Sequence, residues 1–186
     1  MRYVVIGASA AGISGAKTLR ELDGNAEIIL ISKDTEVYSR CILHHYISSH
    51  RNIEKLNFTS KNFFEEYNIN WIKGVEVTSL NSANKVLGLS NGESIEFDKL
   101  MICSGASAFI PPVEGLREGK NVVGLRNLED AILIKEEAAK VKNAVVLGAG
   151  LVGIDAVSGL IDTGVNITLV EMGDKVLHIQ LDKYGS

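Results

Sequence analysis

The chain has 186 residues, 46% of them hydrophobic and 23% charged, with 19 Lys plus Arg against 23 Asp plus Glu for a formal net charge of −4. That length allows one large or two small domains, the composition excludes intrinsic disorder, and the absence of long single-sign blocks argues against nucleic acid or a lipid surface as the main partner. Cys41 and Cys103 form neither a disulfide framework nor a metal-ligand spacing, and no uncharged apolar run approaches the ~18 residues of a membrane span, so a soluble, cytoplasmic protein is expected.

In chain order, Tyr3 to Ile6 is a buried-type apolar run. It meets the turn Gly7-Ala8-Ser9-Ala10-Ala11-Gly12, then a helical apolar spacing through Ile13, Ala16, Leu19 and Leu22. The opening has the outline of a short signal peptide, but its apolar core is too short and a second copy lies deep in the chain. Asp23-Gly24-Asn25 turns the chain into a second run, Ile28 to Ile31, which ends at Ser32-Lys33-Asp34. This is a β-turn-α-turn-β unit with parallel strands.

A helix is expected over Ile42 to Ile47, with Cys41 at its N-terminus, and a short one over Ser60 to Tyr67. Asn70 to Leu80, Lys85 to Leu89, Ser94 to Phe97 and Lys99 to Cys103 have strand character. They are separated by Asn81-Ser82-Ala83-Asn84 and by the hairpin signal Ser90-Asn91-Gly92, so an antiparallel meander is expected inside an α/β protein. Pro111-Pro112 and Gly115 mark a linker. A domain boundary near 111–120 would leave domains of 1–112 and 113–186. Asn127, with acidic Asp130 three residues later, opens another helix.

From Ala144 the first pattern returns: AVVLGAGLVGI repeats YVVIGASAAGI. Helical spacing follows through Ile154, Val157, Leu160 and Ile161, then Thr163-Gly164 and a strand from Ile167 to Val170. A strand that runs into a helix through glycines presents free backbone N–H groups and a positive helix end, which suits a pyrophosphate. Gly148-Ala149-Gly150-Leu151-Val152-Gly153 matches the dinucleotide fingerprint in full, with Gly148 for the turn, Gly150 for close approach and Gly153 for packing. Glu171, at the end of the next strand, would accept from ribose hydroxyls and repel a 2′-phosphate, favouring NADH over NADPH. In the first copy Ser9 replaces the second glycine, and the ribose carboxylate is displaced to Asp34 or replaced by Ser32.

These motifs, with VYSRCILHHYI, FDKLMICSGASAFIPPVEG, LRNLEDA and LVEMGDKVL, resemble the N-terminal part of the pyridine nucleotide-disulfide oxidoreductases. The branch is that of NADH oxidases, coenzyme A-disulfide reductases, rubredoxin reductases and the flavin part of nitrite reductases. The resemblance covers essentially the whole chain. It implies an α/β fold with two Rossmann-like units, FAD on the first and NADH on the second, and hydride passing from NADH to FAD and on to oxygen, a disulfide or peroxide through Cys41, or a small redox protein. Gly7, Ser9, Ala10, Ala11 and Gly12 would hold the FAD pyrophosphate, with Ser32 and Lys33 near the adenosine and Arg40 on the loop that reaches the flavin. Val77 would offer main-chain contacts to adenine, and Ser104-Gly105 stands for the family's Thr-Gly turn. Gly148, Gly150, Leu151, Val152, Gly153 and Glu171 would serve NADH, with Asp155 in place of the family's Glu beside the nicotinamide.

Cys41 occupies the position of the branch's redox cysteine, and a helix N-terminus beside Arg40 would favour its thiolate, with His44 or His45 as a proton partner. The alternative is a packed thiol beside the flavin of an electron-transfer reductase. Cys103 reads as an inert buried thiol and His178 as a surface-loop residue. A metal site from Cys41, His44 and His45 lacks a fourth ligand. The residues after Asn143 are too few for a complete βαβαβ half, and the family's return segment and dimerisation domain are missing from the sequence. The expectation is therefore a fragment of a homodimeric parent, and as a fragment the alternative is a nucleotide-binding module without turnover.

Overall fold

The computed structural model describes residues 1–182 and 184–186. Along the chain lie β1 (Arg2–Ile6), α1 (Ala10–Leu22), β2 (Glu27–Ser32), α2 (His44–Ile47), α3 (Phe63–Glu66), β3 (Ile69–Lys73), β4 (Val77–Asn81), β5 (Val86–Leu89), β6 (Ser94–Glu96), β7 (Lys99–Ile102), α4 (Leu128–Ala138), β8 (Asn143–Leu147), α5 (Leu151–Ile161) and β9 (Asn166–Val170). They divide into two compact units, Met1–Ser39 with Asn57–Ala106, and Arg40–Leu56 with Ser107–Ser186. Among the described residues no helix is long and apolar enough to cross a membrane.

In the first unit a parallel sheet runs in the order β3-β2-β1-β7, with Val4 opposite Ile29 and Leu100. Every residue from Ile28 to Ile31 is buried because both faces of β2 are covered, which is what its unbroken apolar run requires. On one face Val5, Ile28 and Leu30 pack with Ile13 and Ala16 of α1 and with Phe63. On the other, Val4, Ile29 and Ile31 pack with Leu87 and Leu89 of β5. The antiparallel sheet β4-β5-β6 thus covers the second face of the parallel sheet in place of a helix. Each large side chain buried there contributes about 1.5–3 kcal/mol.

The expected meander is shorter than its strand-like stretches suggested. Asn70 to Leu80 is two strands, because Gly74 at φ +73 turns the chain while the Val75 N–H bonds to the Ser32 carbonyl. Its first part, β3, joins the parallel sheet beside β2. The stretch from Lys99 forms β7, parallel to β1, and only β4, β5 and β6 form the antiparallel sheet. The hairpin at Ser90-Asn91-Gly92 is present, with Gly92 at φ +86 between paired β5 and β6. Arg20 of α1 closes the far end, donating to the carbonyls of Tyr67, Asn68 and Gly24 at 2.8–2.9 Å and to that of Asp23 at 3.3 Å.

In the second unit β8 and β9 pair in parallel, with Val146 opposite Leu169. The helix expected after Asn127 is α4, opened by Asp130, whose carboxylate accepts from the N–H groups of Arg126 and Asn127 at 2.9 and 2.8 Å. The segment Arg40–Leu56 packs here through α2, which touches both α4 and α5. Lys135 of α4 donates to the Tyr46 carbonyl at 3.0 Å and lies 4.4 Å from that ring. Gly159 of α5 admits the approach, since a Cβ there would stand 3.0 Å from the His44 carbonyl oxygen and 3.1 Å from Ile47 Cβ.

Candidate functional site

The two glycine turns are built alike. Gly7 and Gly148 have φ of +106 and +97, a region that strains any residue with a Cβ. Their N–H groups donate to the carbonyls of Ile31 and Val170, each at 2.8 Å, tying each turn to the next strand. Ser9 and Gly150 cap α1 and α5 with extended backbone. The first helical bonds run from the Ile13 N–H to Ser9 and from the Ile154 N–H to Gly150 at 2.9 and 3.0 Å. A Cβ on Gly12 would lie 1.8 Å from the Gly7 oxygen, and one on Gly153 1.9 Å from the Gly148 oxygen, so the third glycine seats each helix against its strand. The N–H groups at 10–12 and 151–153 precede the first helical bond and sit at the positive end of the helix, an arrangement that binds an anion.

The turns differ at their backs. A Cβ on Gly7 would meet the Cys103 oxygen at 2.3 Å, because β7 lies beside β1, whereas one on Gly148 or Gly150 would meet nothing within 4 Å. Ser9 makes no side-chain cap bond, and Ala10 and Ala11 are exposed. Leu151 and Val152 are 58% and 56% exposed.

At the end of β2 both candidate ribose partners have other work. The Ser32 hydroxyl is buried, donates to the Asp34 carbonyl at 2.8 Å and accepts from Trp71 Nε1 at 3.0 Å. Asp34 is buried and accepts from the Tyr38 hydroxyl at 3.1 Å. Neither partner was evident from spacing. Lys33 is the exposed residue between them. Val77 opens β4 at a bulge that leaves the register irregular between Val77 and Ser79. Ser104 and Gly105 are exposed after β7, with Gly105 at φ +72.

Glu171 reaches the second turn directly. Its carboxylate accepts from the N–H groups of Ala149 at 2.6 Å, Met172 at 2.8 Å and Gly173 at 2.9 Å. These backbone donors, Ala149 first, hold it below the usual carboxylate range. The following segment folds back, with the Leu177 N–H on the Ala149 carbonyl at 2.9 Å. His178 is exposed and lies near Gly173.

Cys41 is exposed and lies in a 3-10 turn over Arg40–Ile42. The expected continuous helix is instead this turn followed by the single turn of α2. The Tyr46 N–H bonds to the Leu43 carbonyl at 2.9 Å and the Ile47 N–H reaches the same oxygen at 3.2 Å, the tight bonding of a segment too short to propagate. Cys41 therefore does not sit at an α-helix N-terminus. No hydrogen bond among the described residues joins it to His44 or His45. Arg40 Nε donates to Asn127 Oδ1 at 3.5 Å. Burial pushes the Cys103 thiol up, as suits an inert residue.

Asp155 lies one helical turn into α5, with its Oδ1 3.6 Å from His44 Nδ1. The two line a small cavity with Arg40, Leu43, Leu125, Arg126 and Val152. The pairing was not read from sequence. Gly159, an isolated glycine in a helical pattern, was the one signal of close approach.

The family profile described as pyridine nucleotide-disulphide oxidoreductase matches residues 1–184. The epsilon subunit of NADH-dependent phenylglyoxylate dehydrogenase from Aromatoleum evansii is 30% identical over 100% of this chain and 44% of its own length. An NADH oxidase from Methanocaldococcus jannaschii is 33% identical over 98% and 42%. Among solved structures, the NAD-dependent persulfide reductase from A. fulgidus superimposes with a TM-score of 0.89 at 30% identity, covering 98% of this chain and 36% of that one. The NADH:rubredoxin oxidoreductase of Clostridium acetobutylicum gives 0.83 at 26%, covering 99% and 48%. The chain thus spans less than half the length of these relatives. With the doubled glycine turn and a match over nearly its full length, the chain belongs to the pyridine nucleotide-disulphide oxidoreductase family.

Proposed function

We propose that this chain is the dinucleotide-binding part of a flavoprotein oxidoreductase, with FAD on residues 1–112 and NADH on residues 113–186. The observation that supports it is the pair of matching glycine turns, each leading into a helix whose first hydrogen bonds begin only at the Ile13 and Ile154 N–H groups. The residues fit both groups: each helix start offers unpaired N–H groups to a pyrophosphate, and the space at Gly150 is open. When bound, NADH would supply a hydride and FAD the two-electron relay to an acceptor.

In this reading the N–H groups of Ala10, Ala11 and Gly12 hold the FAD pyrophosphate and the Ser9 hydroxyl adds a donor. Ser32 has its hydroxyl engaged, so Lys33 is the side chain available to the adenosine, with Val77 contributing backbone. Ser104, Gly105 and Arg40 serve the flavin. Leu151, Val152 and Gly153 present the second set of N–H groups, and Glu171, already fixed by Ala149, accepts from the ribose and disfavours a 2′-phosphate. Asp155 lies beside the nicotinamide. Cys41 passes electrons to a disulfide or peroxide; relatives named for rubredoxin or putidaredoxin favour a small redox protein as the other acceptor.

The test is anaerobic addition of NADH to the FAD-loaded chain. Loss of oxidised-flavin absorbance is expected. Trp71, hydrogen-bonded to Ser32 at the end of β2, should lose fluorescence as FAD binds. A second reading, a nucleotide-binding module without turnover, is favoured by the two-stranded sheet of the second unit, where Val145 is 64% and Leu147 50% exposed. It predicts binding of both nucleotides with the flavin spectrum unchanged by NADH.

A further inference from the structure

We infer that His44 is a positioning residue for the second dinucleotide site and acts through Asp155. This rests on the NADH reading of that site and adds how its carboxylate is held. On α5, Val152 and Asp155 are neighbours by their i, i+3 spacing, so the carboxylate lies one turn beyond the open N–H groups of the helix start. Val152 and Asp155 line one cavity with His44. The imbalance is in His44. Its side chain is 16% exposed against 42% for Asp155, and its Nδ1 is buried without a hydrogen-bond partner.

A buried polar nitrogen without a partner is costly. The Asp155 oxygen 3.6 Å away is the acceptor within reach, a few tenths of an ångström beyond good geometry. The imidazole is well placed to fix it. Its ring centroid is 4.2 Å from that of His45, and its backbone is seated on α5 through the notch at Gly159. The positive groups facing the pair are Arg40 and Arg126, which line the same cavity. One carboxylate oxygen turned to Nδ1–H leaves the exposed side of Asp155 to accept from a ligand N–H, such as the carboxamide of a nicotinamide. A neutral imidazole with its proton on Nδ1 is sufficient.

Two variants separate positioning from packing. His44→Asn keeps an amide N–H near the place of Nδ1, whereas His44→Leu keeps the bulk and removes the donor. In nucleotide-free chain, nitrogen NMR of the imidazole should show Nδ1 protonated and its resonance shifted by Asp155→Asn. In NADH titrations His44→Leu should weaken binding about 5- to 20-fold and His44→Asn less than about 3-fold, with little further loss from His44→Leu in an Asp155→Asn background. Equal losses for the Asn and Leu variants, additive losses in the double variant, or an Nδ1 resonance indifferent to Asp155→Asn would overturn the inference. If NADH binds and no His44 variant matters, this inference alone fails; if the wild-type chain does not bind NADH, the proposed function fails and takes it along.

Discussion

Replacing Gly153 and Gly150 in turn by alanine separates what the second turn does for the fold from what it does for a ligand. A Cβ on Gly153 would stand 1.9 Å from the Gly148 carbonyl oxygen and 3.0 Å from its carbon, against the 3.4 Å at which ordinary contact begins. Both neighbours are backbone, so the relief must come from moving α5 off β8. Overpacking of this kind costs about 3 kcal/mol or more. In a chain of this size that is roughly 6–12 °C of Tm. A Cβ on Gly150 meets nothing within 4 Å, and φ of −78 suits any residue. Its cost is only that of a poorer N-cap, about 0.5–1 kcal/mol. The same Cβ stands where a pyrophosphate approaches, so NADH binding should weaken ~10-fold or more, about 1.4 kcal/mol. Thermal unfolding and NADH fluorescence titration of the two variants read these separately. A Gly150→Ala chain that binds NADH as tightly as wild type, or a Gly153→Ala chain with unchanged Tm, would refute the reasoning.

Three other outcomes follow from the geometry. Backbone N–H groups hold the folded Glu171 carboxylate below its ordinary range, so its contribution to stability is present at neutral pH and lost as the pH falls through the folded value. Glu171→Gln should therefore lower Tm at neutral pH, converge with wild type on acidification, and weaken the preference for NADH over NADPH. In the FAD-loaded protein, Cys41→Ser should abolish NADH-dependent disulfide and peroxide reduction and leave flavin reduction by NADH intact; survival of both reductions would take Cys41 off the electron path and favour a protein carrier. Arg20→Ala strips a donor from four carbonyls. It should destabilise the first unit by about 1–3 kcal/mol in denaturant unfolding, with nucleotide binding unchanged at permissive temperature.

Local features were the legible ones. The glycine turns could be read in advance because Gly7, Gly12, Gly148 and Gly153 each answer a steric demand that no other residue meets. The Asn127 and Asp130 cap is likewise contained within four residues. What escaped sequence reading was decided by partners distant along the chain. Asn70 to Leu80 has one continuous strand pattern, yet Gly74 divides it between two sheets, and Lys99 is drawn to β1 rather than to the hairpin beside it. Ser32 suited a ribose contact until Trp71, 39 residues away, was seen to occupy its hydroxyl. The segment after Arg40 carries helical spacing, but its packing on α4 and α5 leaves one short turn, so the helix-end argument for Cys41 does not survive. Asp155 was found by its place in the motif, and its partner His44 only by the fold.

The central claim is that one chain carries two separate dinucleotide sites, and equilibrium binding of FAD and NADH measured together on the purified chain tests it most directly. One FAD and one NADH per chain without competition are expected, with Ser9→Val, at the extended N-cap position equivalent to Gly150, weakening FAD alone and Gly150→Ala weakening NADH alone. Mutual displacement of the two nucleotides, or loss of both from either substitution in a folded chain, would contradict it.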